Sequence, residues 1–199
     1  MLYKMKGRGK APTSSKKINV LIYGDPEVSE NIIKKFLDDE SLKGEQFQQN
    51  FTTFKYELFL DNRTIKYNLN ICLNVSKPKE NFPYFLKNSD GAILTFDFKS
   101  EQSFEFIKDI FKKKSFDNFY ITLLGDNYGN RSDFEVVPNE AKKLVKDTRI
   151  NYCDLSAKSN LKESIENVLK EIYNFAMNAK DNENNENCCN CTHRRCDIF

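Results

Sequence analysis

Apolar runs of strand length alternate with amphipathic stretches of helix length along most of this 199-residue chain. Residues 17–23 (KINVLIY) form a continuous apolar run ending at Gly24, the pattern of a strand buried on both faces. Residues 29–37 place Ile32, Ile33, Phe36 and Leu37 at helical spacing. Residues 52–60 and 64–73 alternate apolar with polar and are joined by Asp61, Asn62 and Arg63, which predicts a hairpin. Residues 91–98 are a further apolar strand, and 100–114 carry Phe104, Ile107, Ile110 and Phe111 on one helical stripe. Residues 119–124 form a strand ending at Gly125, Pro138 opens a helix, 151–155 is a short strand, and 161–177 is amphipathic. Strands alternating with helices predict an α/β fold in three layers. Its six-stranded, mostly parallel sheet is covered on both faces, and the hairpin supplies one antiparallel edge strand. Ligands of such sheets bind at the carboxyl ends of the strands, here the loops after Gly24, Gly125 and Ser156 and the one at Val75.

Residue usage narrows the chemistry. A single histidine, His193, excludes His-based triads and multi-His metal sites from the folded part. A net charge of +2 argues against general nucleic-acid binding. Cys72 and Cys153 lie in apolar runs, whereas Cys188, Cys189, Cys191 and Cys196 crowd the end of the chain, unlike a disulfide framework. That distribution predicts a reducing compartment. No stretch approaches the roughly 20 apolar residues of a membrane span. The basic residues 1–16 lack the apolar segment of a secretory signal, and position 2 is not the Gly of a myristoylation site. The expected organisation is a basic flexible arm at 1–16, one domain at 17–178, and a flexible Cys-rich tail at 179–199 that begins with the polar residues 181–187.

The first loop reads Gly24-Asp25-Pro26-Glu27-Val28-Ser29-Glu30-Asn31, in the place of a phosphate-binding G-x-x-x-x-G-K-[ST] loop. Arg63-Thr64-Ile65-Lys66 has the form of a third-strand opening. A gapless register from it reaches Gly91-Ala92-Ile93-Leu94-Thr95-Phe96-Asp97, and Ser156-Ala157-Lys158 follows the last strand. With this order of elements the chain resembles a small GTPase of the Ras superfamily, of the Rab-like branch, over residues 17–178. The resemblance implies a P-loop NTPase (small G domain) fold and a nucleotide site with Mg²⁺. The equivalent positions are Gly24, Asp25, Ser29, Glu30, Asn31, Asp126, Asn127, Gly129, Ser156, Ala157 and Lys158.

The departures from the family pattern concentrate in that site. Glu30 stands where the family has its phosphate-gripping Lys, a charge reversal worth several kcal/mol at about 4 Å and an effective dielectric near 20. Ser29 replaces Gly, and Asn31 replaces the Mg²⁺-binding Ser or Thr. Ile71-Cys72-Leu73-Asn74 falls where D-x-x-G is expected, with Val75 at the water-orienting Gln. Asp126-Asn127-Tyr128-Gly129 replaces the base-reading N-K-x-D. The switch Thr falls at Gln48, with Thr52 and Thr53 close by. Asp25, Glu27 and Glu30 also bring carboxylates to the start of the first helix, a natural anion site. Either the three take the place of phosphate, or Glu27 and Glu30 are ordinary solvated first-turn acids. The losses affect separate contacts. The expectation is therefore no catalytic residue, no tight GTP·Mg²⁺ binding and no hydrolysis, with no metal site beyond the weak candidates Asn31 and Gln48. The other reading is a working GTP/GDP switch with Asn31 or Gln48 near the metal and Lys158 beside the base.

The last residues, Cys196-Asp197-Ile198-Phe199, match the C-a-a-X prenylation box, with Asp197 in a position that is usually aliphatic. One prenyl group anchors weakly, so Cys188, Cys189 and Cys191 are candidates for palmitoylation, and Arg194-Arg195 for anionic lipid. Zinc on these cysteines and His193 is the rival, with a spacing too tight for a usual zinc module. The resemblance implies a peripheral protein on the cytoplasmic face of an endomembrane or the plasma membrane, in trafficking or signalling. Its effector or scaffold partners would meet residues 43–53, residues 74–87 and the exposed hairpin face, and no nucleic acid is involved.

Overall fold

A computed structural model describes residues 17–38, 45–46, 51–60, 62–72, 78–112, 116, 118–127, 133–146, 148, 150–156 and 160–192. The elements run β1 (Lys17–Gly24), α1 (Pro26–Phe36), β2 (Glu45–Gln46), β3 (Phe51–Leu60), β4 (Arg63–Cys72) and α2 (Pro78–Leu86). They continue as β5 (Gly91–Asp97), α3 (Glu101–Phe111), β6 (Ile121–Asn127), α4 (Pro138–Val145), β7 (Asn151–Ser156) and α5 (Leu161–Thr192). The sheet order is β2-β3-β4-β1-β5-β6-β7. Six long strands form the expected sheet, and the two-residue β2 adds a seventh, pairing antiparallel with β3 at Thr52 and Thr53. The β3–β4 hairpin is antiparallel, and β4, β1, β5, β6 and β7 are all parallel to one another. The pair Leu60–Arg63 closes the hairpin, and Asn62 takes φ 61°, a left-handed conformation that Asn tolerates.

Strand alternation builds a core on each face of the sheet. Ile18, Val20 and Ile22 of β1 join Tyr67, Leu69 and Ile71 of β4 beneath α1 and α5. Leu21 and Tyr23 face the other way, into a core under α2, α3 and α4 rich in Phe82, Phe96, Phe98 and Phe104. Each fully buried aliphatic or phenyl side chain contributes about 1.5–3 kcal/mol, which holds the layers together without a disulfide among the described residues. The Tyr67 hydroxyl donates to the Leu169 carbonyl at 3.1 Å, tying β4 to α5.

The long final helix departs from expectation. Its apolar stripe ends near Asn178, where the sequence predicts a flexible tail, yet α5 continues to Thr192. No Gly or Pro interrupts residues 161–192, so nothing in the backbone chemistry stops the helix where the packing stops. Residues 1–16 and 193–199, with Cys196, lie outside the described residues.

Candidate functional site

Strand β1 ends at Gly24, which pairs with Thr95 of β5. A Cβ at Gly24 would run into the carbonyl and hydroxyl oxygens of Thr95, so only glycine lets the strands approach this closely. Asp25 alone separates Gly24 from the first helical residue, Pro26. Residues that would form the wrap of a phosphate loop are thus already the first turn of α1.

That turn is closed by its own side chains. Pro26 has no N–H, and Asp25 Oδ1 accepts from the N–H groups of Glu27 at 3.0 Å and Val28 at 3.2 Å. The N–H of Ser29 donates to the Asp25 carbonyl at 2.9 Å. Each donor that usually makes a helix start an anion site is engaged within the protein. Of the two readings of the three acids, Asp25 is the one that takes the amides. Glu27 is an exposed first-turn acid, and Glu30 pairs along the helix with Lys34 at 2.8 Å.

Ser29 is fully buried. Its hydroxyl donates to the Asp25 carbonyl at 2.8 Å and lies 2.7 Å from Thr95 Oγ1, so the Thr95 hydroxyl supplies the proton of that second bond. The position where the family uses Gly for backbone approach is filled by a hydrogen-bonded contact between α1 and β5. Asn31 is exposed on α1. Beyond β6, the Asp126 carboxylate is mostly buried and lies 3.5 Å from Lys35 Nζ, while its carbonyl accepts from the Phe98 N–H. Asn127, 6% exposed, donates through Nδ2 to Asp154 Oδ1 at 2.8 Å. The backbone of Ser156 pairs with Asn127. Gln48, Asn74, Val75, Gly129, Ala157, Lys158 and the side chain of Ser156 lie outside the described residues, as do the side chains of Cys188, Cys189 and Cys191.

The first-loop and β6-end residues thus stand at the carboxyl ends of their strands, each engaged by a neighbour: Ser29 by Thr95, Asp126 by Lys35 and Asn127 by Asp154. Three partners escaped the sequence reading: Thr95, Lys35 and Asp154. Thr95 carried a signal, since a hydroxyl inside an apolar strand demands a partner. Lys35 and Asp154 carried none, because their partners lie far away in sequence. The helix start at Pro26 was also legible, as an Asp N-cap followed by Pro at the first helical position.

Tested against this geometry, the described residues do not fit a triphosphate with Mg²⁺. The helix-start donors are engaged, Asn31 is exposed, and Asp126, at the first position of the N-K-x-D equivalent, is paired with Lys35. The fold and the order of its elements are nonetheless those of a small G domain. A sequence model of the Ras family matches residues 31–176, beginning inside α1 and ending within α5. Proteins of that family in general bind GTP or GDP with Mg²⁺ and engage effector proteins. The match spans well over half of the protein, and this chain belongs to the Ras family of small GTPases.

Proposed function

We propose that this chain is a Rab-like pseudo-GTPase: a G-domain frame that binds partner proteins in trafficking or signalling and neither holds GTP·Mg²⁺ tightly nor hydrolyses it. The supporting observation is the closed first turn of α1, where Pro26 lacks a donor and Asp25 takes the N–H groups of Glu27 and Val28. The partner surface is the one expected at residues 43–53, residues 74–87 and the hairpin, of which 45–46, 51–53, 78–87 and the two hairpin strands are among the described residues. Phe59 and Tyr84, 69% and 68% exposed, are its aromatic anchors.

The decisive measurement is nucleotide occupancy. The full chain, purified gently in Mg²⁺, is denatured and its nucleotide separated by chromatography, while a second sample is melted with GTP·Mg²⁺. A site with Kd near 1 μM gains about 4 kcal/mol at about 1 mM ligand. That corresponds to roughly 8–16 °C for a domain of this size. The expected result is no co-purified nucleotide and a shift below about 1 °C. Stoichiometric GDP, or a shift of several degrees, supports instead a working switch with non-standard contacts.

Membrane attachment through the residues around Cys196 belongs to the same proposal. The α5 backbone rises about 20 Å between Asn178 and Thr192, at 1.5 Å per residue, and this stretch includes Cys188, Cys189 and Cys191. Cys196→Ser is expected to move the protein from the membrane to the soluble fraction of cells, and unchanged partition refutes the anchor.

A further inference from the structure

Alternation along three strands decides what meets at one corner of the sheet. Since Ile18, Val20 and Ile22 of β1 enter the core under α1 and α5, Lys17 and Asn19 project to the opposite face. Tyr67, Leu69 and Ile71 of β4 enter that same core, which sends Asn68 and Asn70 to the face of Lys17. Thr53 and Lys55 of β3 stand opposite Asn70 and Asn68 in register. Helix α2 borders this corner with Tyr84 and Phe85 without covering it. The result is a cavity of about 530 Å³, within the size range of small-molecule sites.

Among the described residues the lining includes two lysines, Lys17 and Lys55, both exposed, while the Asp90 carboxylate accepts from the Asn19 N–H at 2.9 Å. Lys17 forms no ion pair among the described residues. The amides of the floor are held in place: Asn68 Nδ2 donates to Asn19 Oδ1 at 2.8 Å, and Thr53 Oγ1 donates to Asn70 Oδ1 at 2.8 Å. This arrangement uses the oxygen of Asn19 and leaves its Nδ2 donors unengaged among the described residues. The wall is aromatic. Phe51 and Phe85 meet edge to face with centroids 5.0 Å apart, and Tyr84 continues the cluster at 5.5 Å from Phe85.

We propose that this cavity binds a small organic acid, a carboxylate carried on an apolar ring or short chain. Fixed amide donors and a cation suit the carboxylate, and the Phe51–Phe85 wall suits the apolar part. The site does not depend on the nucleotide reading, because it lies on the β1–β3–β4 corner and shares no residue with the α1 start.

The test is a titration of the ¹⁵N-labelled full chain with phenylacetate, acetate and benzyl alcohol at low salt. Phenylacetate is expected to shift the amide signals of Lys17, Asn19, Asn68 and Asn70 saturably, with a Kd on the order of 1 mM. Acetate, lacking the ring, and benzyl alcohol, lacking the charge, should each bind at least about fivefold more weakly. The exposed pair Lys17→Glu with Lys55→Glu should weaken phenylacetate about tenfold and leave benzyl alcohol unchanged. A capped peptide, acetyl-Phe-Glu-amide, separates the sources of this chemistry: tighter binding than phenylacetate assigns the acid to a protein side chain, weaker binding to a free metabolite. The proposal is overturned by no saturable shift up to about 20 mM, by acetate or benzyl alcohol matching phenylacetate, or by full affinity in the double variant.

Discussion

Replacing Asp25 with Ala removes the acceptor that closes the first turn of α1. One carboxylate oxygen serves two N–H groups, at 3.0 and 3.2 Å, and Pro26 offers no third donor. Loss of an N-cap acceptor costs about 0.5–2 kcal/mol, and loss of a negative charge at the helix start about 0.3–1 kcal/mol. The two overlap, and water reaches the exposed Glu27, so the net cost is placed at about 1–2 kcal/mol. For a domain of this size Tm falls by about 2–8 °C. Thermal and urea unfolding of the full chain, followed by far-ultraviolet circular dichroism, give the number. Asp25→Asn keeps a neutral acceptor and should recover more than half of the loss. The same experiment probes the idea that Asp25 stands in for phosphate. In about 50 mM phosphate the Ala variant should gain more stability than the wild type, beyond the general salt effect common to both. The reasoning is refuted if Asp25→Ala changes stability by less than about 0.3 kcal/mol, or if phosphate stabilises both proteins equally.

Further changes probe the rest of the rim and the core beneath it. Glu30→Lys restores the family's charge but only breaks the pair with Lys34, so stability should change by less than about 0.5 kcal/mol, and a fluorescent GTP analogue should still not bind; micromolar binding contradicts the closed-turn argument. Ser29→Ala and Thr95→Val should each cost about 1–3 kcal/mol, and the double variant less than their sum, with a coupling of at least about 0.5 kcal/mol in a urea double-mutant cycle. Tyr23 is fully buried among Phe82, Phe85 and Phe106, its hydroxyl has no partner among the described residues, and burial holds its pKa far above the ordinary tyrosine value. Tyr23→Phe should therefore raise stability by about 1 kcal/mol, and a loss of stability shows that the hydroxyl is bonded in solution. Gly125→Ala places a Cβ 2.6 Å from Phe98 Cε2 and 2.8 Å from Phe96 Cζ, an overpacking expected to lower stability by about 1–3 kcal/mol in the same urea assay.

Much of the architecture was legible from local pattern. The strand at Lys17–Gly24 reads as a buried run, the hairpin as two alternating strands about a turn, and the stripes of α3 and α5 as helices facing a core. These succeed because periodicity and burial are the same information seen from two sides. The end of α5 was misread because loss of an apolar stripe marks the end of packing, while a backbone free of Gly and Pro continues as a helix.

The sequence by itself determined the layered α/β fold and the charge reversal at Glu30, which depend on neighbours along the chain, although it placed the first helix at 29–37 rather than from Pro26. Only the tertiary structure decided that Ser29 meets Thr95, that Lys35 answers Asp126, that Asn127 binds Asp154, and that Lys17, Asn19, Asn68 and Asn70 share a cavity. Those contacts join residues 27 to 91 positions apart or set three strands side by side. Register across the sheet is their cause, and register is a property of the packed layers rather than of any one segment.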